Sequence, residues 1–477
     1  MNIRHYIFII LFILPATQLI AQNPVLFGKA IDYSGKELIF YLIQEPILNQ
    51  KLELATTRVA NDGTFSVTVP VDQTNEIYVD LEKYCGTMVV EPGKNYQIVL
   101  PPFTPKTSFE ANSAYFKPIP YWLGLPGTDN NDLNFSVRSF ITEFNLETGK
   151  NTFPIYQQKS KEVVNEIIER LEKKYSTIYN PYFKILKKYY FADLEYAVNQ
   201  RTPDYIIHKY FADQPVSLSH PVYRSAFENQ FTDFLRKQAQ NIQNNKIVSI
   251  TNSGNYTELV KLFEGKGYAR AFAELVVLKG LYDGYYTGSF SKEGVIKAIE
   301  KAQTATASPQ LLPIAQQIKA KLTLLAVGGK APAFKLYNLK KEVVSPDLFH
   351  GKFVYLSFFN SKSSDCKTEL DSIVSLEKQL RQVLSIVSIA IDDNFENAVK
   401  VWKTKGYSWE LLDGSKQKQL IINYNASIAP AFYLIAPDGN LGLSPAPAPT
   451  QGFKPLFLKF LRDYNFKNKP TGINRKQ

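Results

Sequence analysis

The chain carries two thiols, Cys85 and Cys366, and four imidazoles, His5, His208, His220 and His350. Of these, Cys366 stands where a reaction could be built. An apolar run, Phe353, Val354, Tyr355, Leu356, Phe358 and Phe359, precedes it and is long enough for one buried strand. A polar turn over 360–365 follows, and Cys366-Lys-Thr-Glu-Leu then opens a helical pattern. A helix N-terminus carries about half a positive charge, which stabilises a thiolate placed there. Ser363, three residues earlier, could donate a hydrogen bond to that thiolate, whereas Asp365 beside it would oppose the negative charge. Disulfide exchange needs a thiolate to attack and a second thiol to release the product. A serine hydroxyl supplies neither, so Ser363-Ser-Asp-Cys366 cannot run a two-thiol cycle.

Other constellations offer less. The histidines are dispersed and none pairs with a cysteine or carboxylate at ligand spacing, so no metal is expected. There is neither a phosphate-cradling glycine loop nor a Gly-x-Ser-x-Gly elbow, and no cofactor is expected. Asp392 and Asp393 follow a strand pattern, but adjacent residues point to opposite faces, so they read as a solvated turn. Buried, inert packing is the default role for both thiols. A bridge between them is not expected, because they fall in different domains.

Three kinds of element must position these groups. Residues 24–102 read as a β-sandwich: Leu38, Phe40 and Leu42 alternate with other residues, as do Phe65, Val67 and Val69, and Asn61-Asp62-Gly63 marks a turn. Residues 103–130 read as a linker. Residues 133–326 read as one irregular α-helical domain, with apolar residues at three- and four-residue spacing over Lys161–Ile178 and further helices at Pro181, over Pro221–Gln240 and over Ala269–Tyr285. Residues 328–466 read as an α/β domain with a strand and hairpin, a βαβ unit, a second hairpin and a final helix.

That last segment resembles the TlpA-like thioredoxins, exported relatives of thioredoxin whose signature ends in W-C-x-x-C. Gly328-Gly-Lys-Ala-Pro-Ala-Phe-Lys-Leu matches the family's lead-in G-x-x-A-P-x-F-x-L. Ile386–Asp392 resembles the second core strand, 397–406 the next helix and Tyr407-Ser-Trp-Glu-Leu-Leu the short segment after it. Ile428-Ala-Pro-Ala-Phe-Tyr-Leu-Ile with Asp438-Gly439 resembles the cis-proline strand and its hairpin. Aligned residue by residue, the family's tryptophan falls on Lys362, its first cysteine on Ser363 and its second on Cys366. The resemblance implies a thioredoxin-like fold, with Cys366 in the place of the buried resolving thiol. It also implies that Pro430 is cis and faces the active-site turn, and that Ala429 and Pro430 keep the backbone surface which pairs with an extended peptide. The layout of 24–102 is similar to the β domain that often precedes such a domain. Peroxiredoxins, built on the same fold, carry T-x-x-C with the reactive cysteine here, and Ser363-Ser-Asp-Cys366 resembles that too. They also have a proline four residues before the threonine, where this chain has Phe359. They need a later arginine as well, and Arg381 is the only one between Cys366 and Pro430.

Length and charge complete the reading. At 477 residues two or three domains are expected, and 45% apolar content is enough for their cores. Arg4 followed by the apolar run Tyr6–Leu14 reads as a signal peptide over 1–21, cut after Ala21 and too short to span a bilayer. No membrane-length segment follows residue 22, so the protein is expected in the periplasm or cell envelope without a transmembrane span once the signal is removed. The net charge of +11 is spread along the chain. With no nucleic-acid motif and with export expected, it reads as a solvated surface and excludes nucleic acid as a partner. The function implied is a binding or scaffold role, taken by a thioredoxin-fold relative of the thiol-disulfide oxidoreductases that has lost its first active-site cysteine. Its partner would be an extended peptide or envelope protein held around Ser363, Cys366, Ala429 and Pro430. The alternative is a one-cysteine redox enzyme, exchanging thiols or reducing peroxide at Cys366.

Overall fold

The computed structural model describes residues 23–467, apart from 108–109, 111–115, 128, 130, 200–202 and 241–244. The signal-peptide reading of 1–21 therefore lies outside the described residues. The chain divides into two compact units, the first ending at Lys106 and resuming over Lys117–Gln230, the second taking Thr107–Phe116 and everything from Phe231. This boundary falls inside the stretch read from sequence as a single helical domain.

In the first unit, strands β1 (Val25–Lys29), β4 (Thr64–Thr68) and β7 (Tyr96–Gln97) form one sheet in the order β4-β1-β7. Strands β2 (Glu37–Ile43), β3 (Lys51–Arg58), β5 (Asn75–Leu81), β6 (Tyr84–Val90) and β8 (Ile119–Trp122) form a second, ordered β3-β2-β5-β6-β8. The two sheets share one apolar core that includes Leu26, Phe40, Phe65, Val79 and Met88. Alternation explains it, since β5 buries Ile77, Val79 and Leu81 and turns the residues between them outward. Strand β8 lies in the segment read as a linker. Its prolines, Pro118 just before it and Pro120 within it, hide the strand pattern, and they are tolerated because β8 is an edge that pairs only with β6, in parallel. Helices α1 (Leu133–Lys150), α2 (Thr152–Tyr156), α3 (Lys161–Lys174), α4 (Pro181–Val198), α5 (Pro203–Ile207) and α6 (Pro221–Phe231) complete the unit. Asn180 caps α4 through the N–H groups of Tyr182 and Phe183, with Pro181 at the first helical position.

The second unit begins with α7 (Phe234–Ala239), so the single helix read over Pro221–Gln240 is two. Asp233 separates them in the left-handed conformation, at φ +57°, which a continuous helix excludes. Helices α8 (Asn245–Ser253), α9 (Tyr256–Glu264), α10 (Arg270–Thr287), α11 (Lys292–Ala305) and α12 (Leu312–Thr323) follow. Helix α10 is the buried one, and Gly280 within it allows close approach, since a Cβ there would lie 2.4 Å from that of Leu235.

Beyond α12 the chain makes a thioredoxin-like α/β domain. A hairpin of β9 (Leu336–Tyr337) and β10 (Val343–Val344) leads into β11 (Phe353–Phe359), α13 (Ser364–Leu380), β12 (Leu384–Ala390), α14 (Phe395–Lys405) and β13 (Glu410–Asp413). Then come α15 (Lys418–Asn423), the hairpin of β14 (Ala431–Ile435) with β15 (Leu441–Leu443), and α16 (Phe453–Lys467). The sheet order is β13-β12-β11-β14-β15. All seven residues of central strand β11 are buried, because layers cover both faces of the sheet. On one face Tyr355 stacks on Phe432 and Phe453 and donates to the carbonyl of Pro447 at 2.7 Å. On the other, Phe358 packs on Tyr424 and Tyr433. The hydroxyl of Ser357 would be costly in such a strand, but it meets Ser388 Oγ at 2.6 Å, which in turn accepts from Trp409 Nε1 at 2.9 Å.

Candidate functional site

The turn between β11 and α13 is held by its own polar residues. Asn360 accepts from the Lys362 N–H at 2.9 Å through its side chain and from the Ser363 N–H at 3.1 Å through its carbonyl. Ser363 caps α13, its Oγ accepting from the Cys366 N–H at 3.3 Å. Cys366 therefore sits in the first turn of the helix, on the stripe Cys366, Leu370, Ile373, Leu376 and Leu380 that packs into the core. Its residue exposure is 1%. Burial pushes the thiol pKa up; the Asn360 N–H, which donates to Sγ at 3.5 Å, and the Ser363 hydroxyl pull the other way, while the nearby Asp365 and Asp392 add to the rise. Both cysteines are free thiols. What this site presents at neutral pH is a protonated sulfur facing the interior, with a hydroxyl three residues before it.

Asp392 corrects the sequence reading of a solvated pair. It is 1% exposed and accepts from the Ser361 N–H, at 3.2 and 3.1 Å to its two oxygens, and from the Ser361 hydroxyl. The strand register explains the placement. Phe359 of β11 is opposite Ala390 of β12, so two residues further on Ser361 and Asp392 come side by side. The signal available in sequence was position: an acid two residues past a buried parallel strand lies where the neighbouring strand's functional turn begins.

The Ala429–Pro430 peptide is cis. Pro430 lines a cavity of about 680 Å³ together with Asp365, Thr368 and Glu369 of α13, Tyr433, and the loop Ser444–Ala446. Glu369 anchors the far side of that loop region by accepting from the Thr450 N–H at 3.1 Å. Pro430 and the outer face of α13 thus meet, while Ser363, Cys366 and Ala429 are not in the cavity wall. Ala429 is half-buried against the core, and Ile428 before it is 62% exposed. Among the described residues, Ser427, Ile428 and Ala429 make no backbone hydrogen bond. Arg381 sits just past the end of α13. At 1.5 Å per helical residue it is about 22 Å from Cys366, too far to assist a peroxide.

The match to known proteins follows this geometry. Residues 327–443 match the AhpC/TSA family. No curated protein matches the chain. Among solved structures, the thioredoxin domain of a thiol-disulfide oxidoreductase from Bacteroides vulgatus is 20% identical over 28% of this chain and 98% of its own, with a TM-score of 0.27. A thiol:disulfide interchange protein from a Bacteroides species is 21% identical over 32% of this chain and 97% of its own, with a TM-score of 0.26. A thiol-disulfide oxidoreductase from Bacteroides fragilis is 20% identical over 27% and 98%, with a TM-score of 0.25. Residues 327–443 are thus similar to the AhpC/TSA family, within a domain of thioredoxin-like fold. Among the described residues no helix is long and apolar enough to cross a membrane, and no cluster of three or more His, Cys, Asp or Glu could hold a metal ion.

Proposed function

We propose that this chain is a TlpA-like, exported redoxin that has lost its first active-site cysteine and acts in the cell envelope as a binding or scaffold protein. The observation that carries this reading is the pairing of a buried, protonated Cys366 with a serine at 363. A thiol in that state attacks nothing, and no partner thiol waits to release a product. The binding half of the reading is supported by the unpaired backbone of 427–429 beside Pro430 and the exposed Ile428. An extended peptide could add there as a short strand. The export half rests on the N-terminal sequence. In this reading the two sheets of the first unit form a β-sandwich that presents or positions the redoxin domain.

A second reading, one-thiol exchange or peroxide reduction at Cys366, draws on the Asn360 N–H directed at the sulfur, a contact that favours a thiolate once one forms. Insulin reduction with dithiothreitol as reductant and peroxide turnover, for the natural protein and for Cys366→Ala, separate the two. The binding reading expects background rates from both proteins, and expects Ser363→Cys to gain dithiol-type insulin reduction. Activity in the natural protein that disappears in Cys366→Ala would overturn it.

A further inference from the structure

The first unit contains a cavity of about 620 Å³ between its larger sheet and helices α1, α4 and α6, within the range of small-molecule sites. At its rim Lys51 shows what the wall can hold. Its ammonium pairs with Asp80 at 2.7 Å and lies 4.0 Å from the centroid of the Tyr41 ring, a carboxylate and an aromatic face sharing one cation. Further in, the same two kinds of group recur with no cation in the wall itself. Tyr78, Tyr190 and Trp122 are in the wall, and so are the carboxylates of Glu76 and Asp193. Glu76 accepts from Thr87 Oγ1 at 2.9 Å and from the Tyr182 hydroxyl at 3.2 Å, is hydrogen-bonded to Tyr78 and feels the charge of Arg224, whereas Asp193 is hydrogen-bonded to the neutral Asn229. Among the described residues neither carboxylate has a lysine or arginine at ion-pair distance. Arg224 lies outside the wall, with its guanidinium bonded to the carbonyls of Ile43 and Ser219 at 2.9 and 2.5 Å and reaching the Tyr78 hydroxyl at 3.4 Å.

We propose that this cavity binds a small organic cation, a primary amine carrying an aromatic body, with the ammonium at Glu76 and Asp193 and the body against Tyr78, Tyr190 and Trp122. Three carboxylates against one lysine in the wall exclude an anion. Burial raises the pKa of Glu76 against the pull of its hydrogen bonds and of Arg224, and pushes that of Asp193 up to about 6. An ammonium would give Asp193 the ion-pair partner it lacks in the wall and Glu76 a closer one than Arg224, and ring faces add to the attraction where water is excluded.

The test is calorimetric titration of the full-length protein with tyramine, with its uncharged counterpart 4-ethylphenol and with the anionic 4-hydroxyphenylacetate. The inference expects tyramine to bind with Kd below about 1 mM and at least tenfold more tightly than 4-ethylphenol, with no binding of the acid. Asp193→Asn and Glu76→Gln should each weaken tyramine tenfold or more while leaving 4-ethylphenol unchanged. Should Glu76→Gln fail to fold by circular dichroism, Asp193→Asn decides alone. Equal affinity for the charged and uncharged compounds, binding of the acid in preference to tyramine, or no binding of tyramine would each overturn the inference.

Discussion

A native-state thiol titration measures the feature on which the binding reading depends. At its ordinary pKa of 9.0 Cys366 would be about one part in a hundred thiolate at pH 7, and burial takes it lower. Access adds more, because a reagent meets the sulfur only after the first turn of α13 opens. Opening forfeits the Ser363 cap, worth about 1 kcal/mol, and the burial of Cys366 and its neighbours, about 2 kcal/mol. Together some 3 kcal/mol suppresses the reactive state about 150-fold. The assay is disulfide-reagent labelling of a Cys85→Ser variant at pH 7 beside glutathione, repeated in guanidinium. We expect Cys366 to react about 150-fold more slowly in the native protein, to speed up continuously as pH rises past 9, and to match glutathione once unfolded. A native rate within tenfold of glutathione, or a plateau below pH 8, would refute the argument.

Asp392→Ala leaves the Ser361 N–H and hydroxyl without their buried acceptor, which should cost about 2–4 kcal/mol in urea unfolding; a loss under about 0.5 kcal/mol would mean that the carboxylate does not hold the turn. His220 is buried, with Nε2 donating to the Tyr182 carbonyl at 3.2 Å and Nδ1 without a partner, and burial lowers its pKa from 6.5 to about 3. A depressed pKa means stability present above 6.5 and lost as pH falls through 3, so the melting temperature should drop across that window and His220→Gln should flatten the drop; an unaltered slope counts against it. Asp193 has the opposite sign, since burial raises it from 3.8 to about 6, giving stability that is full below 3.8 and lost as pH rises through 6. Asp193→Asn should therefore stabilise the protein at pH 7.5, by about 1 kcal/mol once partial solvent exposure is allowed for, and by nothing at pH 3.5. A loss of stability at pH 7.5 would show that the ionised carboxylate is already satisfied.

What the sequence made legible was local. The seven-residue run of β11 reads as a strand because every one of its side chains is buried, and Ser363 with the stripe from Cys366 to Leu380 reads as a capped amphipathic helix. The lead-in at 328, the turn at 360–365 and Pro430 keep their order in the thioredoxin-like domain. What stayed hidden was set by pairing between distant segments. Asp392 looked solvated because nothing near it in sequence marks the parallel register that places it beside Ser361. Strand β8 was masked by its prolines, and the break at Asp233 by an apolar pattern that runs on through it. The cavity of the first unit left no trace at all, since Glu76 and Asp193 reach it from a strand and a helix far apart in the chain.

The two sites differ in what their burial needs to explain it. A protonated thiol is a small hydrophobe, and Cys366 on the inner stripe of α13 is accounted for by packing alone. A carboxylate has no such account. Burying Asp193 without a cation, and Glu76 with Arg224 too far away for an ion pair, works against the fold, and neither supplies core volume that leucine or methionine would not. Groups kept at a cost to stability mark where function is sought, whereas groups kept at none do not. By that criterion the burial of Cys366 does not mark a site of chemistry, and the proposed peptide edge rests on the backbone of 427–429 instead. The acid- and ring-lined cavity of the first unit is then the place where this chain's own small-molecule chemistry is expected.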